Sequence, residues 1–209
     1  MNRTEKTRTE PWRPQWHFSA RRHWINDPNG LIWFDGEYHL FFQHNPFGNE
    51  WGHMSWGHAV STDLLHWQEL PVAIPEDERV SIYSGSIVVD AHRSSGLGSD
   101  GPASLLVAAY TGCRRVPEGG QAQEIAHSLD RGRTWTKHPG NPVLDRGSAN
   151  FRDPKVFRHG DAWVMVAVDS ARRTWRRGWG ALTLSIWTRT CSWLSTPSSG
   201  VLCRTRTSC

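Results

Sequence analysis

The sequence predicts an all-β chain of the propeller type, on three observations. Segments rich in β-branched and aromatic residues alternate with short Gly, Asp and Asn turns, and almost no stretch keeps the 3.6-residue period of a helix. The segments group into units that open at Asp27, Ser84 and Asp153, spacings of 57 and 69 residues. The two complete units close alike, on Ser61, Asp63 and Trp67 and on Ser128, Asp130 and Trp135. Self-similarity at such a period, with four strands per unit, is the pattern of propeller blades.

The elements follow in order. Residues 1–15 form a polar N-terminal arm without an apolar core, so no signal peptide is visible; cytoplasmic is the default location, and secretion requires a different start. The first unit enters at Asp27, runs through Leu31–Phe34, turns at Asp35-Gly36, returns over Tyr38–Gln43 and continues from Gly57 to Trp67. The second starts at Ser84-Gly85-Ser86 and passes through Leu105–Tyr110 to Glu124–Trp135, where Ser128–Trp135 matches an Asp-box turn. The third starts at Asp153, with Lys155–Arg158, a turn at His159-Gly160-Asp161, and Trp163–Val168. Trp56, Trp67, Trp135 and Trp163 are expected in blade packing. The domain so defined spans residues 16–171.

Residues 172–209 differ in kind. They hold seven Arg and no Asp, Glu, Lys or His, so the net charge of +4 resolves into a body of −3 and an Arg-rich tail. The body therefore carries no basic patch for nucleic acid, and no apolar run approaches the ~18 residues of a membrane span. Three of the four cysteines (Cys191, Cys203, Cys209) also lie in the tail, with Cys113 alone in the body. Such an abrupt change, rich in Arg, Ser, Thr and Cys, reads as an aberrant segment translated out of frame; the alternative is a true extension.

The chemistry concentrates where units begin. Trp24-Ile25-Asn26-Asp27-Pro28-Asn29-Gly30 puts a carboxylate before a proline at the entry to an apolar run. Proline fixes its own φ and biases the residue before it toward an extended backbone. Asp27 is expected at the first residue of a strand, held stiffly as a nucleophile must be, and Asn29-Gly30 in a tight turn or bulge. A second such entry is Phe151-Arg152-Asp153-Pro154, where a fixed guanidinium at Arg152 is expected to lower the pKa of Asp153. Alone, either is equally an Asx-Pro turn or a structural ion pair. His53 and His58 are the closest histidines in a motif; their spacing places them on opposite faces of a strand, and no metal or other cofactor is expected.

Between these entries lie Gln43-His44-Asn45-Pro46, Trp51-Gly52-His53-Met54-Ser55-Trp56-Gly57-His58 and Tyr83-Ser84-Gly85-Ser86. With these five motifs in order, the chain resembles glycoside hydrolase family 32, the β-fructosidases, and most closely its levanase and exo-inulinase branch. The resemblance implies a five-bladed propeller followed by a β-sandwich, of which this chain holds about two and a half blades and no sandwich. It implies hydrolysis of terminal β-fructofuranosides (sucrose, inulin or levan) with retention. Asp27 is then the nucleophile and Asp153 the transition-state stabiliser, with Arg152 beside it on the ring hydroxyls. Asn26, Gln43 and Ser84 match positions that hydrogen-bond fructose, and Trp51 and Tyr83 those that wall its pocket. Taken singly, Trp51 also fits a core position and Gln43 the outward side of a strand. The expected partner is a small or oligomeric β-fructoside, with no nucleic acid and no membrane.

One part is missing. Retaining glycosidases use two carboxyl groups ~5–5.5 Å apart, one of them a proton donor to the leaving oxygen. The family's donor is a Glu about one blade beyond the Arg-Asp-Pro, whereas the last Glu here is Glu124. Loss of general acid catalysis costs ~10²–10⁴-fold, so the chain is expected to be nearly inactive as given. Fructosyl transfer and fructan binding without turnover are the competing functions.

Overall fold

The computed structural model describes residues 10–14, 16–98, 104–115 and 119–169, and the backbone of 181–187. Residues 1–9 of the arm and the rest of the 172–209 tail, with Cys191, Cys203 and Cys209, lie outside the described residues. Every regular element among those described is a strand. The first sheet joins β1 (Ile25–Phe34), β2 (Glu37–His44), β3 (Ser55–Ser61) and β4 (Gln68–Ile74) in sequence order, each antiparallel to the last. The second joins β5 (Val80–Asp90), β6 (Leu105–Arg114) and β7 (Gln121–Ser128), with β8 (Thr136–Lys137) and β9 (Leu144–Ser148) both paired to β7. The third joins β10 (Phe151–His159), β11 (Ala162–Asp169) and β12 (Ala181–Trp187). Three antiparallel meanders stacked face to face are successive blades of a propeller, with β1, β5 and β10 innermost.

The blades are joined by apolar layers. Phe41, Trp56 and Ile74 of the first blade meet Ile82, Ile87, Leu106, Ala108, Tyr110 and Ala126 of the second, with Trp135 packed beside them. Ala109 and Ile125 of the second meet Met165 and Val156 of the third. On the far face of the first blade, Phe42 and Ala59 are covered by Phe18, Ala20 and Trp67. Trp56 is fully buried and Trp163 nearly so, donating from Nε1 to Ser94 Oγ at 2.8 Å. All four expected tryptophans thus pack within or between blades. Leu31 and Trp33 of the first blade, and Phe157 and Val168 of the third, remain exposed.

The closing turns repeat in atomic detail. Asp63 Oδ1 accepts from Leu65 N and His66 N, and Trp67 Nε1 donates to Leu64 O at 3.0 Å. Asp130 Oδ1 accepts from Thr134 N, and Trp135 Nε1 donates to Gly132 O at 3.0 Å. In both, the serine hydroxyl donates to the aspartate and accepts a backbone N–H. The second turn also docks on the first blade. Arg133 pairs with Glu37 and Arg131 with Asp35 and Glu37.

Beneath that turn, His39 Nδ1 and His58 Nε2 meet at 3.0 Å, fully buried, and His58 also hydrogen-bonds the Gly132 backbone. His58 stacks on Phe41 at 4.0 Å. His53 does not share a strand with it: it precedes β3 and bonds Glu76 Oε1 at 2.7 Å.

Each inner strand carries one extra residue near its start. Two residues of β1 separate Ile25 (opposite His44) from Pro28 (opposite Phe42), where β2 has one. The same step falls between Ile82 and Gly85 in β5 and between Arg152 and Lys155 in β10. These are β-bulges, which bend a strand and re-aim its side chains. A second bulge at Asn29–Ile32 uses Gly30 at φ 52°, so Asn29-Gly30 forms a bulge rather than a turn. Asp27 consequently sits inside a strand at a bulge, not at a strand's first residue.

Two outcomes follow. A Cβ on Gly85 would lie 2.1 Å from the Ala109 carbonyl oxygen, so Gly85→Ala forces β5 and β6 apart at the bulge. It is expected to cost about 2–3 kcal/mol in urea unfolding. Burial, and then the neighbouring His39, hold the pKa of His58 down to about 3. A folded-state pKa below the unfolded value means that stability is complete above pH ~6.5 and falls as pH drops toward 3, by up to ~1.4 kcal/mol per pH unit. His58→Gln should remove one proton from that slope in urea titrations between pH 7 and 4.5.

Candidate active site

The three bulges meet. A cleft of about 320 Å³ is lined by Asp27, Pro28 and Leu31 of β1, by Ser84 to Ile87 of β5, and by Asp153, Pro154 and Lys155 of β10. Residues far apart in sequence converge because each innermost strand enters the same axial channel. Asp27 and Ser84 occupy the second extra position of their bulges, and Asp153 the first of its own.

Ser84 Oγ donates to Asp27 Oδ2 at 2.8 Å, a charge-assisted bond across two blades that orients the carboxylate. Beside it, Gly85 N reaches Asn29 Oδ1 at 3.4 Å. Between the second and third blades, Ser86 Oγ donates to Pro154 O at 2.9 Å and accepts from Val156 N at 2.9 Å. The inner strands are therefore tied laterally at the level of the cleft.

Asp153 holds φ at 60°, a left-handed conformation that costs a non-glycine residue roughly 1–3 kcal/mol. Its carboxyl is open to the channel but crowded by protein on its other sides. That burial raises its pKa, the Asp27 charge adds to the rise, and Arg152 opposes it. The expected lowering by Arg152 is thus outweighed by desolvation. Arg152 is not fixed against its neighbour's carboxylate: its Nη2 donates to Asn150 Oδ1 at 2.7 Å.

The other expected residues divide. Asn26 is exposed beside Asp27, its Oδ1 accepting from Trp24 Nε1 at 2.8 Å. Trp51 is 59 % exposed and meets Tyr83, the residue before Ser84, edge to face with ring centroids 6.1 Å apart; neither ring is among the residues lining the cleft. Burial, and then contact with Cys113, push the Tyr83 hydroxyl up to about 12, so it remains a neutral donor. Gln43 does not line the cleft. It is 3 % exposed, faces the Asn26–Asp27 bulge from β2, and its Nε2 has no partner among the described residues. Glu124 lies on β7, buried against Tyr110 and away from the cleft, its pKa raised by burial.

The family model for the glycosyl hydrolases family 32 N-terminal domain matches residues 17–179. The chain belongs to glycosyl hydrolase family 32. Within the family it is 53% identical over 160 residues to the levanase of Bacillus subtilis (strain 168), an alignment covering 75% of this chain and 23% of that protein. Superposition on the crystal structure of exo-inulinase from Aspergillus awamori gives a TM-score of 0.72 at 45% identity, over 77% of this chain and 36% of that one. The β-fructofuranosidase of Schwanniomyces occidentalis complexed with fructosyl-erythritol gives 0.69 at 41% identity, over 84% and 36%. The three-blade arrangement is therefore part of the family 32 propeller, and the chain spans about a quarter to a third of the length of these relatives.

Two residues around the family 32 cleft escape sequence reasoning. Thr111 and Gln123 hydrogen-bond each other and the backbone of β10 at Asp153 and Phe151, yet Thr111 follows an apolar run and Gln123 lies among polar residues, and nothing marks either. Asp27→Asn should lower the Asp153 pKa, because removing a nearby negative charge eases ionisation of the second carboxyl. Carboxyl-carbon NMR titration checks this; an unchanged Asp153 midpoint would mean that the two carboxyls do not face one cleft.

Proposed function

We propose that the cleft takes the terminal β-fructofuranosyl unit of sucrose or a fructan, and that Asp27 attacks its anomeric carbon. The C2–oxygen bond to the leaving group breaks as the bond to an Asp27 oxygen forms, giving a fructosyl ester. Water then attacks C2, releases Asp27 as carboxylate and loses one proton, so configuration is retained over two displacements. Asp153, across the cleft, stabilises positive charge on the ring in both transition states. Asn26, Ser84 and Arg152 contribute hydroxyl contacts, and Trp51 with Tyr83 packs on the C–H face of the sugar. Gln43 enters this reading only from behind the bulge that carries Asp27.

The observation that carries the reading is the meeting of three bulged inner strands around Asp27, Ser84 and Asp153 in a family 32 chain. Leaving-group protonation is the step for which the described residues lining the cleft supply no Glu. The reading therefore distinguishes substrates by their leaving group. β-Fructofuranosyl fluoride, whose departing fluoride needs no proton, should be consumed by the purified chain in an Asp27-dependent reaction. Sucrose and inulin should react at least ~10²-fold more slowly. Asp27→Asn should abolish the fluoride reaction while leaving the unfolding midpoint nearly unchanged. Equal rates on fluoride and sucrose would refute the missing-acid reading, and a fluoride reaction that survives Asp27→Asn would refute the assignment of the nucleophile. Fructose binding without turnover of either substrate is the second reading, favoured by the same absent Glu.

A further inference from the structure

Two side chains of the neighbouring blade hydrogen-bond the β10 backbone at and beside the left-handed Asp153. Thr111 is the single β6 residue opposite the β5 bulge, since the register steps from Gly112 facing Ile82 to Tyr110 facing Gly85. Gln123 lies directly across from it on β7. Both are 0% exposed. Thr111 Oγ1 donates its one proton to Gln123 Oε1 at 3.0 Å and accepts the Asp153 N–H at 3.0 Å. Gln123 Nε2 donates to Phe151 O at 2.8 Å. The relay thus grips β10 on both sides of Arg152, at the N–H of one residue and the carbonyl of another.

The chemistry of each link is determined. A threonine hydroxyl has one hydrogen and two lone pairs, so donation to Gln123 leaves it an acceptor for Asp153. The N–H in a bulge has lost its ladder partner and needs another acceptor when buried. Without Thr111 the Asp153 N–H and Gln123 Oε1 are both orphaned, and nothing offsets the strained φ.

We propose that Thr111 and Gln123 are positioning residues that hold the β10 bulge strained so that the Asp153 carboxylate stands opposite Asp27 in the cleft. This rests on the reading of Asp153 as a fructose-binding, transition-state-stabilising group. The relay also links the two carboxylates mechanically: Thr111 backs the bulge whose Ser84 holds Asp27, and it grips the bulge that carries Asp153.

The test is isothermal titration of fructose into the 209-residue chain, paired with carboxyl-carbon NMR of Asp153. Thr111→Val and Gln123→Met should each weaken fructose roughly tenfold, and Thr111→Ser should restore it. In Thr111→Val the Asp153 pKa should fall toward the ordinary carboxylate range as the group swings into solvent. Val60→Ala, a buried β3 truncation outside the relay, provides a destabilised control that should change neither readout. Should Thr111→Val not fold, Gln123→Met decides alone, because it removes the grip on Phe151 and leaves Thr111 in place. Affinity within about twofold of wild type in the relay variants, with Asp153 titrating as before, overturns the proposal. So does an equal loss in Val60→Ala. A wild-type chain that binds no fructose, or that binds it as well after Asp153→Ala, sinks the fructoside reading itself and the proposal with it.

Discussion

The structure depends on one repeated distortion, a single extra residue near the start of each inner strand. A regular strand would alternate its side chains between the two faces of its blade and point none of them usefully into the channel. The bulge breaks the alternation where Asn26-Asp27, Tyr83-Ser84 and Asp153-Pro154 stand. Each costs ladder hydrogen bonds, and at Asp153 it also costs backbone strain. The neighbouring blade offsets those costs: Trp56 Nε1 donates to Tyr83 O at 2.9 Å, just as Gln123 Nε2 donates to Phe151 O at 2.8 Å. A third-strand side chain gripping the next blade's bulge is thus a recurrent device, and catalytic geometry and blade packing become one problem.

That coupling explains the electrostatics of the cleft. Two carboxylates aimed into one small space repel, and the protein around Asp153 adds a desolvation cost that Arg152 only partly opposes. Both carboxylates belong to residues exposed along the cleft. Under the proposed function, a sugar ring entering between them would bring a developing positive charge beside both carboxylates, a stabilisation greatest in the transition state.

The blade pattern was legible because its signals are local. Ser61, Asp63 and Trp67 reappear at Ser128, Asp130 and Trp135 with the same types of Ser–Asp, Asp–backbone and Trp–backbone hydrogen bonds, and turn chemistry of this type is written in adjacent residues. The unit openings at Asp27, Ser84 and Asp153 were legible from the repeat, and the structure brings all three to one cleft. Strand starts were read too late, at Asp27 and Asp153 rather than Ile25 and Phe151, because a bulge interrupts the two-residue period that reveals a strand. The pKa of Asp153 was misjudged for a related reason: sequence adjacency put Arg152 beside it, while burial and the direction of the guanidinium are properties of packing. Thr111 and Gln123 were invisible, since a polar residue following Leu105–Tyr110 carries no local mark of the strand that will lie over it.

The central claim is that the bulged strands build one fructose site between Asp27 and Asp153, and a crystal structure of the chain soaked with fructose tests it most directly. The account predicts the furanose ring in the cleft, its anomeric carbon facing Asp27 and its hydroxyls on Asp153, with Asp153 still in the left-handed conformation. A ring bound elsewhere, or inner strands that run straight past Asp27 and Asp153 without their extra residues, would contradict it.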